Sequence, residues 1–158
     1  MTYVFDTNSF RELERFYHDV FKSLWVRLDE FVEKGLFLST REVWNELERG
    51  ELALHLRLWL EDKGRDRIFM IPTPEELLFV QKIFSIRHFQ YLIESKTQLR
   101  GSPVADPFVI ACAKIRNGTV VTEEKLKPNA AKIPNVCAHF DIPCINLEQF
   151  MREQKWEF

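Results

Sequence analysis

Long apolar runs are missing from this chain: charged residues interrupt every hydrophobic segment well short of the ~18 residues that a membrane-spanning helix needs. The opening also lacks a basic stretch followed by an apolar one, because Asp6, Arg11, Glu12 and Glu14 intrude at once. No membrane role and a cytoplasmic location are therefore expected. Cysteine is sparse, with Cys112, Cys137 and Cys144 in no CxxC spacing and one left over from any pairing, which excludes a disulfide scaffold and reads as reduced thiols, two of them core fillers. Charge of one sign is lacking too: 22 Lys and Arg stand against 24 Asp and Glu for a net charge of -2, so any contact with nucleic acid must rest on a local patch. Only five Gly and seven Pro accompany fourteen Phe and four Trp, which indicates a well-filled, mostly helical body. No internal repeat or low-complexity tract is visible. The 158 residues fit one domain, 1–158, that buries roughly two thirds of its unfolded surface.

What is present begins with Tyr3-Val4-Phe5, a short buried strand that delivers Asp6, Thr7, Asn8 and Ser9 at its carboxyl end, with Ser9 in position to cap the helix that follows. Phe16, Val20, Leu24, Leu28 and Phe31 form a helical stripe that Lys34-Gly35 ends. Leu36-Phe37-Leu38 is a second strand, and Ser39 with Glu42 makes a capping box for a helix from Glu42 to Arg49. A helical region spans about 52–99, containing a charged loop from Glu61 to Arg67. Ile68-Phe69-Met70-Ile71 follows as a strand or extended crossover, and Thr73-Pro74-Glu75-Glu76 opens a helix that continues to about Leu99. Arg100-Gly101-Ser102-Pro103 breaks the chain. Asp106-Pro107 then starts an almost wholly apolar helix that Asn117-Gly118 stops. Thr119-Val120-Val121-Thr122 is a β-branched strand that ends in Glu123 and Glu124. A basic loop, Lys125 to Lys132, precedes a short helix to Phe140. The strand Pro143-Cys144-Ile145 and a helix capped by Asn146 and Gln149 complete the chain. Strands alternating with helices across short loops predict a parallel sheet with helices on both faces.

Four acids occupy related places. Asp6 follows the first strand, Glu46 lies one turn inside the helix after the second, Asp106 begins the buried helix, and Glu124 follows the β-branched strand. In a right-handed parallel sheet those positions share one rim. Two carboxylates about 4 Å apart repel by about 4 kcal/mol at an effective dielectric near 20, so a cluster needs cations. An all-oxygen set without His or Cys fits Mg²⁺ or Mn²⁺. Thr7, Asn8 and Thr122 are suited to orient the carboxylates without adding charge. Such a site activates water against a phosphodiester.

Val4-Phe5-Asp6-Thr7-Asn8, Glu46 in a capped helix, Ala105-Asp106-Pro107-Phe108-Val109-Ile110-Ala111-Cys112-Ala113 and Val120-Val121-Thr122-Glu123-Glu124 together resemble the PIN domain, closest to the PIN-like group known as domain of unknown function DUF4411. The resemblance spans nearly the whole chain. It implies a three-layer α/β/α fold with a mostly parallel sheet. It also implies a metal-dependent ribonuclease, similar to the VapC toxins of type II toxin–antitoxin pairs. By that resemblance Asp6, Glu46, Asp106 and Glu124 would be the catalytic and metal-binding acids. RNA would be the substrate, and an antitoxin or DNA-binding protein and a second copy of the chain would be the partners. Two departures stand out. The last acid is usually an Asp two residues after the Thr, which leaves Glu123 and Glu124 both open here, and the 52–99 region takes the place of a helical clip.

Each acid also has a plainer reading. Glu46 could pair with Arg41 or Arg49 on the surface, Asp106 could be only a helix cap, and Glu123 or Glu124 could be solvated. His18, His55, His88 and His139 stand at unrelated intervals and are read as surface or core-edge residues, not ligands. Among the basic residues that could grip a phosphate backbone, Arg41 and Lys125 lie nearest the rim. A catalytically weak module that binds nucleic acid or a partner protein is the alternative to the nuclease. A haloacid-dehalogenase-like phosphatase would need a second Asp where Asn8 stands.

Overall fold

The structure, a computed structural model, describes residues 1–90 and 104–158. The chain runs β1 (Tyr3–Phe5), α1 (Thr7–Leu13), α2 (Lys22–Glu33), β2 (Phe37–Thr40), α3 (Arg41–Arg49), α4 (Leu54–Lys63), α5 (Arg65–Ile68), β3 (Phe69–Met70) and α6 (Pro74–Phe84). It continues with α7 (Asp106–Ile115), β4 (Thr119–Val121), α8 (Ile133–His139), β5 (Cys144–Ile145) and α9 (Leu147–Glu153). The expected helix end near Leu99 and the Arg100–Pro103 break lie outside the described residues. Within them, the 52–99 region is not purely helical, because β3 joins the sheet.

Five strands pair in the order β3-β2-β1-β4-β5, and every pairing is parallel. The chain winds outward from β1 through β2 to β3, then returns to the other side for β4 and β5. The winding therefore reverses between β1 and β4, and in such sheets the crevice beyond the carboxyl ends of the two strands is where ligands gather. This is an α/β fold with helices around a parallel sheet.

The core is largely aromatic. Phe5 stacks on Phe37 with centroids 4.1 Å apart and meets Phe150 edge-on at 5.3 Å, while Phe10 closes on Phe37 at 5.7 Å. These rings fasten β1, β2, α1 and α9 together, and each is fully buried. In the first helical stripe, Leu24 and Leu28 are buried as expected, but Val20 is exposed in the turn before α2 and Phe16 only packs against the core's edge. Gly35 stands at φ 70° where α2 ends, a left-handed conformation that favours glycine.

Candidate active site

Asp6 is the first residue past β1. Its backbone N–H donates to Val121 O at 2.9 Å, which holds it against β4, and its backbone is extended ahead of α1. The expected capping Ser9 lies inside α1 instead, where its hydroxyl donates to Val121 O at 3.0 Å. Asp6 itself stands at the cap position yet makes no cap bond. The residue is 3% exposed, and its Oδ2 accepts from the Thr122 hydroxyl at 3.0 Å. That hydroxyl also lies 3.2 Å from Asn8 Oδ1, so its one proton is shared, while its oxygen accepts from Glu124 N at 3.2 Å. Asn8 Oδ1 further accepts from Glu123 N at 2.9 Å. Thr122 and Asn8 thus clamp the end of β4 to the start of α1 and orient Asp6.

Glu46 reaches inward from α3. Its Oε2 accepts from Thr7 Oγ1 at 2.6 Å and its Oε1 from Ala105 N at 3.2 Å, which joins α3 to the starts of α1 and α7. Asp106 is the first residue of α7, and the cap position belongs to Ala105. The adjacent acids after β4 separate. Glu123 Oε1 accepts from Leu147 N at 2.9 Å, at the start of α9. Glu124 Oε2 accepts from Ile133 N at 2.9 Å and its side chain faces the cavity.

Asp6, Glu46, Asp106 and Glu124 line one cavity of about 460 Å³, together with Thr7, Asn8, Arg11, Arg49 and Gly50. Four separate elements supply the acids. The two basic side chains expected at the rim are elsewhere: Arg41 pairs with Glu42 at 3.2 Å, and Lys125 lines a neighbouring cavity with Thr122, Glu123 and Glu124. Arg11 and Arg49 line the acidic cavity in their place. Helical phase carries a signal for both, since Arg11 is four residues past Thr7 on α1 and Arg49 three past Glu46 on α3.

The family model described as Domain of unknown function (DUF4411) matches residues 3–158. The chain belongs to this DUF4411 family. Among solved structures, the crystal structure of VapBC2 from Rickettsia felis bound to a DNA fragment from their promoter contains a chain with the same architecture. It aligns at a TM-score of 0.50 and 13% identity, covering 92% of this chain and 98% of that one. At that identity the likeness establishes the fold alone, a PIN-like parallel sheet with helices around it. No curated protein matches the chain significantly.

In this DUF4411 chain burial is the main cause that pushes the Asp6 carboxyl well above the usual carboxylate range, and the negative charges of Asp106 and Glu124 add to it. A buried acid flanked by two others has two ways to be stable: it keeps a proton, or it shares a cation. The donor set is all oxygen, which fits a hard divalent ion. Among the described residues, however, no three acid, imidazole or thiol side chains stand close enough to form a metal group. Like charges spread apart, and Glu46, Glu124 and Asp6 each accept from hydroxyl or amide donors around the wall.

Proposed function

We propose that this chain is a ribonuclease that uses Mg²⁺ or Mn²⁺ to hydrolyse RNA phosphodiester bonds, and that it is the toxin of a type II toxin–antitoxin pair. The observation that carries this reading is the meeting of Asp6, Glu46, Asp106 and Glu124 in one cavity at the reversal point of a parallel sheet. Asp6, Glu46 and Asp106 would hold the first ion, and Glu124 would serve a second one or the attacking water. A divalent ion supplies positive charge against the phosphodiester oxygens and acidifies bound water. The protein's part is to hold the carboxylates in place: Thr122 donates to Asp6, Thr7 donates to Glu46, and the Asn8 carbonyl fixes the turn that carries Glu124. The partners that fit this reading are an antitoxin and a second copy of the chain.

Asp6→Asn should abolish Mn²⁺-dependent cleavage of RNA, by at least about 10²-fold in kcat, while far-ultraviolet circular dichroism stays unchanged. Retained cleavage by a folded variant removes Asp6 from the site. The second reading, a module that binds a partner without turnover, draws on the absence of a ready metal group among the described residues. It predicts binding of a partner protein by calorimetry with no Mn²⁺-dependent cleavage of any RNA offered.

A further inference from the structure

Arg11 and Gly50 meet at the wall of the acidic cavity. Arg11 Nη1 donates to Glu14 Oε1 at 3.0 Å and to the carbonyl oxygen of Glu51. Glu14 in turn accepts from the Ala53 N–H through Oε2 at 2.7 Å, just ahead of α4. One nitrogen of the guanidinium is therefore hydrogen-bonded to groups between α1 and α4. Among the described residues its other two nitrogens, Nε and Nη2, carry no hydrogen bond. Those two form the side-on edge of the fork, whose parallel N–H groups match two oxygens of a phosphate.

Gly50 decides whether that edge is open. A Cβ at position 50 would stand 2.6 Å from Arg11 Nη2, closer than side-chain carbons come. The backbone there, φ -95° and ψ 178°, is one that any residue adopts, so glycine is not needed for the conformation. What glycine provides is room for Arg11 Nη2 in its present place.

We propose that Arg11 is a substrate-binding residue, its Nε–Nη2 edge, left uncovered by Gly50, gripping a phosphodiester of the RNA strand beside the four acids. This rests on the nuclease reading of the cavity and names the group that admits the polyanion. The acids of the cavity carry charge of the same sign as an RNA strand, and a guanidinium on the same wall offsets that repulsion. Holding Nη1 in advance also lowers the side-chain entropy lost on binding.

The test is binding of a short fluorescein-labelled single-stranded RNA to the full chain in EDTA, read by anisotropy across a salt series, with thermal melts of every variant. Arg11→Gln should weaken binding about tenfold, the effect of losing one charge-assisted contact. It should also reduce the slope of log affinity against log salt by about 0.7, one phosphate's worth for a single strand. Arg11→Lys should restore the slope but only part of the affinity. Gly50→Ala should weaken binding several-fold with an unchanged Tm, because only the end of a flexible side chain must move. Equal slopes for the parent chain and Arg11→Gln overturn the proposal. So do binding losses that simply track losses in Tm across the three variants, which would make Arg11 a strut between α1 and α4. Mn²⁺-dependent cleavage measured in parallel separates the two readings. A slope change without cleavage by the parent chain supports the Arg11 contact and removes the nuclease, whereas cleavage with no slope change removes Arg11 and keeps the nuclease.

Discussion

Glu123 and Glu124 are neighbours whose side chains serve different elements, and the difference can be measured. Glu123 accepts from Leu147 N at the positive end of α9, whereas Glu124 faces the cavity beside Asp6. Glu123→Ala should lower stability by about 0.5–1 kcal/mol, the scale of a lost helix-end contact, with cleavage unchanged. Glu124→Gln should spare the fold and lower cleavage by about tenfold or more if the proposed metal site loses one of its charges. Denaturant midpoints and initial rates check the pair, and the opposite assignment of effects would exchange their roles. Asp6 allows a second check at this scale. Its carboxylate is buried between two other acids, so Asp6→Asn should raise the metal-free Tm at neutral pH by a few degrees, about 1 kcal/mol for a chain of this size. Added Mn²⁺ should raise the Tm of the parent chain and leave that of the variant where it was. The four acids were legible because each sits where a strand ends or a helix begins. The arginines of the cavity were not, since proximity in sequence pointed to Arg41 and Lys125, whereas helical phase and the pairing of Arg41 with Glu42 decide which basic group faces the acids.

At the level of elements, the short segment after α1 is docked by two histidines that their spacing did not link. His18 Nδ1 lies 2.8 Å from His55 Nδ1 on α4, and His55 Nε2 lies 2.9 Å from the Glu14 carbonyl oxygen. A carbonyl only accepts, so His55 carries its proton on Nε2 and His18 donates from Nδ1. His18 stacks on Trp25 at 3.7 Å, and its Nε2 is buried without a hydrogen-bond partner. A second proton on His18 would sit on that nitrogen. Burial first, then electrostatic repulsion from the neighbouring His55 imidazole, lowers the pKa of His18, while Asp29 and Asp19 oppose the shift. The folded pKa is thus below the unfolded one, so the stability from the neutral ring is complete above about pH 6.5 and declines as pH falls below it. Between about pH 7 and pH 5 the Tm of the parent chain should fall more steeply than that of His18→Phe, which keeps the stack and cannot titrate. Parallel curves would contradict this. The Thr73–Glu76 and Asn146–Gln149 capping boxes were readable in full, because a cap is local chemistry. The expected box at Ser39 and Glu42 shifts by one residue: Thr40 caps α3 by accepting from Val43 N at 3.3 Å, Ser39 donates to Phe5 O at 2.6 Å, and Glu42 is buried against Arg41. Tertiary demand took the Ser39 hydroxyl for β1. The Glu61–Arg67 loop likewise becomes the end of α4 and the single turn of α5 that feeds β3.

For the whole molecule, the alternation of strands and helices was enough to indicate a parallel sheet, and the order β3-β2-β1-β4-β5 follows from where the chain turns back. What the sequence could not supply is the depth at which each carboxylate lies and the hydroxyl or amide that holds it. Those are set by contacts across long sequence separations, such as Thr7 with Glu46 and Thr122 with Asp6. Membership of the DUF4411 family and the PIN-like architecture frame the site without saying what it does. The central claim is that the cavity closes around a divalent ion. A crystal of the full chain soaked in Mn²⁺ and measured for anomalous scattering tests it most directly. A peak bounded by Asp6, Glu46 and Asp106, with Glu124 beside it, is the expected result, whereas a well-ordered cavity with no peak, and Asp6, Glu46 and Glu124 still held by their present hydroxyl and amide donors, would contradict the claim.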